Sequence, residues 1–544
     1  MVESLMSEND LIKLPLGTTK FSKLRKLGCI YVDKSDLLYS LTRQVSTPVF
    51  FSRPRRFGKS LIVSALESLF TSGIQDFKDL AIEKLWNEDV SNYKVIHLDF
   101  SSFASKSAKE FKEGLTAQLA NQFSYLKNIQ AQDEKGEYFF PDYVISRAAG
   151  IADDMSVVLL IDEYDAPITH HLNDPKELEK IESIHSDFFA SVKGAEGMFR
   201  FVFITGITRV SHVSLFSVFN NLQDITFDDE YSTLTGITED ELHKYFDPYV
   251  RNASSVLNMD VDAVYEKLKN SYDGFQFSLN AEQRVYNPWS VLSFLRNPAK
   301  GFQNYWYQSS GGIPTILVNY LQKPENLSKF TEITESENSF EVSRMMSKSD
   351  PKHIPVDLLL LQTGYFTLRK RNSKFGKLVL PNDEVSDSVI SLSLDIHNHG
   401  ITANTVDKLD CLAVMIDEKK IEDIANVINS VLIDCVSAES KAFQDENTLR
   451  DIIYSQISDE RIIKSREKTN AFGYTDLELK TAKTRLIIEF KRSYDGVSDN
   501  KAMQKAINQI KDRHYGESND YRKLVRVAMV ISTAAKRITK WELV

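Results

Sequence analysis

The sequence predicts an α/β protein built from several domains, and three observations carry that prediction. Apolar runs of strand length, Val95-Ile-His-Leu-Asp-Phe100, Val157-Val-Leu-Leu-Ile-Asp162 and Phe199–Gly206, alternate with helical patterns at 105–123 and 176–192. Uninterrupted apolar strands between helices belong to a parallel sheet buried on both faces. The chain has 544 residues, more than a single core organises. A further group of strand-like segments, 485–491 and 524–532, follows a long, mainly helical stretch.

The first strand of the sheet, Pro48-Val-Phe-Phe-Ser52, runs into Arg53-Pro-Arg-Arg-Phe-Gly-Lys-Ser60 and then into a helical pattern, Leu61–Phe70. Strand, turn, Gly-Lys-Ser and helix form the context of a phosphate-binding loop. Backbone N–H groups at a helix start favour anions. Arg56, Phe57, Gly58, Lys59, Ser60 and Leu61 are therefore the candidate cradle for a nucleoside triphosphate. Lys59 is expected to reach the terminal phosphates, and the Ser60 hydroxyl to ligate Mg²⁺. Arg53 stands where the usual pattern has its first Gly, so the loop must enter by another turn geometry, one that Pro54 can set.

The run 157–162 ends in two carboxylates, Asp162 and Glu163. A carboxylate at the C-terminal end of a parallel strand points into the crevice where open α/β sheets bind ligands. Asp162 is expected to hold the Mg²⁺ and its water, and Glu163 to polarise the attacking water. At the end of the next strand, Thr205 or Thr208 is placed to sense the γ-phosphate. Arg209 is placed to serve as an arginine finger, in cis or in trans. Upstream, Tyr31, Asp33 and Lys34 either line the nucleotide pocket or serve packing.

This core is expected to span 1–228, with a helical lid at 229–310. Thr238-Glu-Asp-Glu241 is a capping box that starts a helix expected to end near Phe246, ahead of Pro248, and Asn287-Pro-Trp-Ser290 starts another. Residues 311–435 read as a mainly helical connecting region, with an apolar stretch at 357–362, a strand pattern at 378–380 and flexible ground near 326–350.

The composition, 42% hydrophobic and 26% charged, is that of a soluble protein. Three widely spaced cysteines, Cys29, Cys411 and Cys435, form no metal-ligand spacing and fit a reducing compartment. The N-terminus has no signal-peptide pattern, and no apolar run approaches the ~20 residues of a membrane span. A cytoplasmic protein without membrane contact is expected. The net charge of −10 argues against a general nucleic-acid binder, but residues 436–544 carry 21 Lys+Arg against 16 Asp+Glu. A basic segment on an acidic chain fits a phosphate-contacting module or a solvated helical face.

That segment holds a second constellation. Gly473-Tyr-Thr-Asp476-Leu-Glu-Leu and Arg485-Leu-Ile-Ile-Glu489-Phe-Lys491 read as hairpin strands joined by a turn at 481–484. Asp476 and Glu489 can then share a sheet face, and Glu489 shares its face with Lys491 by the two-residue strand period. Two carboxylates and a lysine suit Mg²⁺-dependent phosphodiester hydrolysis. The carboxylates hold the metal, and the lysine steadies the attacking water or the developing charge.

With both sites in view, the chain resembles a family of bacterial and microbial-eukaryote proteins that join an AAA-like ATPase domain to a C-terminal PD-(D/E)XK nuclease-superfamily domain. The resemblance rests on Tyr31-Val-Asp-Lys34, Arg53–Ser60, Leu160-Ile-Asp-Glu-Tyr-Asp165, Thr205-Gly206, Tyr286–Ser290, Tyr305–Gly311, Gly473–Asp476 and Glu489-Phe-Lys491. It implies a P-loop ATPase core with a helical lid, a helical middle region and a restriction-endonuclease-like α/β domain at 436–544. It implies ATP and Mg²⁺ as cofactors, with Lys59 and Ser60 on phosphate and metal, and Asp162 and Glu163 in hydrolysis. Asp476, Glu489 and Lys491 are then the cleaving residues, with Asp476 and Glu489 on the metal. Glu467 is a further carboxylate by the resemblance, and Gln509 and Tyr515 match a motif after the nuclease site. The family's Gly-Arg-Ser-Asp is Gly473-Tyr-Thr-Asp476 here, which removes a phosphate contact. The partner implied is nucleic acid, DNA ahead of RNA, in a setting such as defence against foreign DNA, and a homo-oligomer is left open. Two rival readings stand beside this one. One is a signalling NTPase whose C-terminal domain binds nucleic acid or a partner without cutting it, and the other is an RNA-directed nuclease.

Overall fold

The computed structural model describes residues 11–43, 47–88, 90, 93–209, 219, 221–278, 280, 283–309, 317, 320–321, 326, 329–330, 333, 339–346, 354–370, 374–389, 409, 411–436, 441–457, 461–470, 473–513, 515 and 522–544. These divide into two compact units, 1–386 and 387–544.

Unit 1 is organised by a parallel sheet of β1 (Val49–Ser52), β2 (Lys94–Asp99), β3 (Val157–Asp162), β4 (Phe199–Gly206) and β5 (Gln223–Asp224), in the order β2-β3-β4-β1-β5. β1, β3 and β4 are buried along their whole length, as their unbroken apolar runs require. The order places one strand, β4, between the strand that feeds the phosphate loop and the strand that ends in Asp162. Helix α1 (Phe21–Lys26) and helix α2 (Ser35–Thr42) precede the sheet, and α3 (Lys59–Ser72) follows β1 directly. α3 lays Ile62, Val63, Leu66, Leu69 and Phe70 against Val158, Leu160, Phe201 and Phe203 of the sheet. That burial, about 1.5–3 kcal/mol per large side chain, fixes the start of α3 at the sheet's C-terminal edge. α4 (Ala108–Gln122) and α7 (Pro175–Gly194) lie where the helical patterns predicted, and α5 (Pro141–Ala149) and α6 (Ala166–His170), not read from the sequence, complete the α/β layers.

Helices α8 (Glu239–Leu257), α9 (Val261–Tyr272) and α10 (Pro288–Arg296) form the helical section after the sheet. The Thr238/Glu241 capping box opens α8 as expected. The expected end ahead of Pro248 is wrong, because α8 runs through it to Leu257. Pro248 removes one helical N–H, but buried Tyr249, Val250 and Ala253 continue the apolar stripe of Leu242 and Phe246. Packing therefore outweighs the missing bond.

The region expected to be mainly helical is so among the described residues, with a small sheet that includes the strand pattern read at 378–380. α11 (Val356–Thr363) ends at Gly364, whose φ of 87° closes it in the left-handed conformation. Three short strands, β6 (Ser339–Glu341), β7 (Thr367–Lys370) and β8 (Phe375–Val379), form an antiparallel sheet in the order β6-β8-β7. β6 lies within the stretch read as flexible ground, most of which is outside the described residues.

Unit 2 begins ahead of the expected boundary at 435/436. α12 (Leu412–Glu418) and α13 (Ile421–Cys435) belong to it because their apolar residues share one core with the following strands. After α14 (Glu446–Gln456) come β9 (Ile463–Asn470), β10 (Gly473–Lys480), β11 (Thr484–Ser493), α15 (Asp499–Asp512), β12 (Lys523–Ser532) and β13 (Arg537–Leu543). The sheet order is β13-β12-β11-β10-β9. β9, β10 and β11 are antiparallel, and β11 pairs with β12 in parallel through the α15 crossover. Leu477, Leu479, Leu486, Ile488 and Phe490 face the core that contains α13. Ile487, Ala528 and Val530 face α15.

Candidate functional site

The phosphate loop solves its missing glycine in an unexpected way. Arg53 is 1% exposed, and its guanidinium lies between the rings of Phe51 and Phe277, 4.3 and 4.2 Å from their centroids. It donates to the carbonyls of Ser52, Thr226 and Tyr231. Burial pushes its pKa down to about 9, opposed by Asp224, so it stays charged at neutral pH. The left-handed residues of the loop are Arg56 (φ 68°) and Gly58 (φ 95°) instead. Arg56 bears a strain of about 1–2 kcal/mol there and stacks its guanidinium 4.5 Å over the Trp289 ring. Phe57 is buried edge-on against Phe275 and Phe277. The loop is thus held from outside by an arginine and an aromatic cluster.

Inside the loop, the Lys59 ammonium donates to the carbonyls of Arg53 (2.9 Å) and Pro54 (3.2 Å). Burial lowers its pKa, and Glu163 and Asp162 oppose that shift. Ser60 hydrogen-bonds to Asp162, whose carboxyl is raised mainly by desolvation. Glu163 is raised by the same cause, with Lys59 opposing. β1, β3 and α3 therefore bring Lys59, Ser60, Asp162 and Glu163 together as the sequence proposed. A lysine, a hydroxyl and two poorly solvated carboxylates at a helix start fit a nucleoside triphosphate with its divalent cation.

Two other expectations divide. The Thr205 hydroxyl is fully buried on β4 without a hydrogen-bond partner among the described residues, an unmet polar group at the place expected for γ-phosphate sensing. Thr208 is engaged elsewhere, donating its hydroxyl to Asp165 at 2.6 Å. Arg209 does not stand as a finger. It is 5% exposed and forms an ion pair with Asp224 at 2.6 Å, which ties the end of β4 to β5. In this arrangement its guanidinium is buried against Asp224 and turned to packing.

A cavity of about 100 Å³ adjoins the loop. Tyr31, Val32 and Lys34 line it with Gly58, Leu61 and Thr235. Lys34 also pairs with Glu241 of α8 at 2.7 Å. Two of the three upstream residues read as pocket candidates are therefore in place. The Asp33 carboxylate accepts from the N–H groups of Ser35 and Ala81.

In unit 2 the hairpin register pairs Leu477 with Ile488, which carried one step further sets Asp476 opposite Glu489. An Asp476 oxygen accepts from the Phe490 N–H at 2.8 Å. Lys491 donates to Glu489 at 2.9 Å and to Glu446 at 2.8 Å. Glu446, at the start of α14, also accepts from the Arg492 N–H. Sequence reasoning missed Glu446, and an acidic residue in a helix's first turn carries no signal by itself. Arg450, one turn further along α14, lies 3.9 Å from Asp476. Glu489 is fully buried, and one of its carboxylate oxygens has no partner among the described residues. Desolvation first, then Asp476, raises its pKa to about 8. Lys491 is raised by Glu489 and Glu446 against the opposing effect of burial. No group of three or more His, Cys, Asp and Glu is placed to hold a metal among the described residues. The unmet oxygen beside Asp476 nonetheless fits a cation completed by water. The Glu467 side chain lies outside the described residues. Gln509 and Arg513 both donate to the Tyr515 hydroxyl, at 3.1 and 3.2 Å.

Residues 15–216 match the family described as Predicted AAA-ATPase, and residues 444–541 match the PD-(D/E)XK nuclease superfamily. The chain joins an AAA-ATPase-like domain to a PD-(D/E)XK nuclease-superfamily domain. The parallel sheet with the phosphate loop lies in the first match, and the Asp476/Glu489/Lys491 site lies in the second. A stretch of 357 residues is 30% identical to "Uncharacterized protein in vnfD 5'region" of Azotobacter chroococcum mcd 1, covering 65% of this chain. The chain spans 64% of that protein's length. No helix among the described residues is long and apolar enough to cross a membrane.

Proposed function

We propose that the AAA-ATPase-like domain binds and hydrolyses ATP with Mg²⁺, and that the nuclease-superfamily domain cuts phosphodiester bonds in DNA with the same metal. The observation that carries the second half is Glu489, a buried carboxyl with an unmet oxygen, set against Asp476 and held by Lys491. A carboxyl kept this dry costs stability unless a ligand uses it.

In the ATPase site, Lys59 exchanges its two carbonyl partners for the terminal phosphates. Ser60 and Asp162 hold the cation's shell, Glu163 orients the attacking water, and Thr205 meets a γ-phosphate oxygen. The cavity beside Tyr31 and Lys34 receives the base. In the nuclease site, Asp476 and Glu489 are the ligands, and bound Mg²⁺ supplies Lewis acidity and a more acidic water. Glu489 would hold the cation as the carboxylate, although burial keeps its pKa raised. Lys491, anchored by Glu446, offsets charge on the phosphate oxygens as the P–O bond breaks. The three cysteines fit a cytoplasmic setting, with foreign DNA as a substrate.

Purified protein incubated with plasmid, linear DNA and RNA, with and without Mg²⁺ and ATP, tests this reading. DNA cleavage lost in Glu489→Ala, together with phosphate release lost in Glu163→Gln, supports it. ATP turnover with no cleavage of any nucleic acid moves the chain to the signalling reading. Cleavage of RNA alone moves it to the RNA-directed one.

A further inference from the structure

Glu163 has a φ of 49°, in the left-handed region that a residue with a side chain enters at a cost. Its neighbours on both sides are fastened. The Glu163 N–H donates to Asp162 at 3.0 Å, and the Tyr164 N–H donates to the Thr205 carbonyl at 3.0 Å. The Tyr164 hydroxyl donates to the Thr208 carbonyl at 2.9 Å, and its ring stands edge-on to Phe50.

Asp165 holds most firmly. It is 2% exposed, and its carboxylate accepts from the N–H of Ile207, the N–H of Thr208 at 2.8 Å and the Thr208 hydroxyl at 2.6 Å. Gly206 completes the fit, since a Cβ there would come within 2.6 Å of both Asp165 and Tyr164. The turn after β3 and the turn after β4 are thereby latched into one body, with Glu163 as its strained member.

We propose that Asp165 and Thr208 form a latch that holds the Glu163 carboxylate in register with the γ-phosphate, making both of them positioning residues for ATP hydrolysis. The latch reaches the reaction chiefly through Glu163, and the Asp165 charge also bears on Lys59, so Thr208→Val, which keeps that charge, separates the two effects. Releasing it lets the backbone at Glu163 relax toward ordinary angles, which carries the carboxylate off the attacking water. The inference rests on the ATPase reading above.

The test is steady-state ATP hydrolysis and analogue binding by the full chain. Asn at 165 keeps the volume but turns an N–H₂ toward donors that need an acceptor. Asp165→Asn is expected to lower kcat by about 10–100-fold with KM and analogue affinity within about two-fold, since small misplacements act on the chemical step. Thr208→Val should lose turnover in the same way, and Thr208→Ser, which keeps the hydroxyl, should recover most of it. In a Glu163→Gln background, Thr208→Val should cost nothing more, because it leaves the Asp165 charge in place and acts through the residue already removed.

Full turnover in folded Asp165→Asn and Thr208→Val, while Glu163→Gln is slowed strongly but still measurably active, overturns the latch and leaves the ATPase reading intact. A further loss of kcat in the double variant also overturns it. Wild-type protein that releases no phosphate from ATP overturns both.

Discussion

Restoring the usual glycine at the head of the phosphate loop should damage this protein. Arg53→Gly removes a guanidinium that fills the space between Phe51 and Phe277 and satisfies the carbonyls of Ser52, Thr226 and Tyr231. Hydrogen bonds from a charged donor contribute roughly 1.5–3 kcal/mol each, and a buried carbonyl left unmet costs about 1–3. Each ring contact adds about 0.5–2 kcal/mol. These contributions overlap, and removing the guanidinium also removes its own desolvation cost. A net loss of ~4 kcal/mol is the reasonable result, at the top of the range for single substitutions. In a unit of this size it corresponds to a fall of about 5 °C in the unfolding temperature. Lys59 should lose affinity for phosphate as well, because the Arg53 and Pro54 carbonyls that seat it are set by the buried arginine. Arg53→Lys keeps the charge but lacks the fork that reaches three carbonyls, so it should fall between wild type and Gly. Calorimetry with titration of a fluorescent ATP analogue measures both effects. A glycine variant within about 0.5 kcal/mol of wild type, the usual span of a neutral surface change, with undiminished affinity would refute the argument.

Lys59→Ala should abolish analogue binding while unfolding stays cooperative, and retained affinity would remove the phosphate-loop assignment. Asp476→Ala and Glu489→Ala should each abolish Mg²⁺-dependent cleavage and leave ATP hydrolysis in place, which phosphate release and a plasmid gel read separately. Lys491→Ala should still take up metal, measured by calorimetric titration with Mg²⁺ or Mn²⁺, but cleave about 10²–10³-fold more slowly, the scale for loss of one preorganised charge-stabilising group. His185 gives a pH signature. It is fully buried among Phe100, Phe111 and Phe189, with neither ring nitrogen hydrogen-bonded among the described residues. Burial lowers its pKa to about 3. The unfolded chain takes a proton near pH 6.5 and the folded chain does not, so this residue's share of stability is complete above about 6.5 and is lost as pH falls toward 3. By pH 5 the loss reaches about 2 kcal/mol, and His185→Phe should abolish that part of the acid dependence in denaturant titrations.

β1, β3 and β4 were legible because their largely apolar runs alternate with helical patterns, whereas β5, Gln223–Asp224, carries no such signal. The hairpin of unit 2 was legible for a related reason. Leu486, Ile487 and Ile488 must be buried on both faces, and the turn from Thr481 to Thr484 fixes which residues meet. Local signals failed where distant packing decided. Pro248 reads as a helix stop, but its flanking apolar residues have a common core to fill. Arg209 reads as an arginine finger after a strand end, but its charge is met by Asp224, fifteen residues along. Glu446 could not be read, because only the folded helix α14 brings it to Lys491.

The two sites share a device that explains why their core residues were readable and their supports were not. Each sets a lysine among carboxylates beside a buried strand, Lys59 with Asp162 and Glu163 at the end of β3, and Lys491 with Glu489 of β11 and Glu446 of α14. Strand periodicity or a motif places the catalytic members, so their spacing survives as sequence pattern. Their supports answer to local packing instead. Asp165 and Thr208 brace Glu163, Arg53 braces the loop and Glu446 braces Lys491, each from a different element. A supporting residue needs only to be a polar group of the right reach at one point in space, and no spacing rule fixes where in the chain it comes from. Substitutions at these supports should therefore lower turnover while leaving ligand affinity largely in place, the opposite of the pattern at Lys59. Arg53 is the exception, because it holds the loop itself.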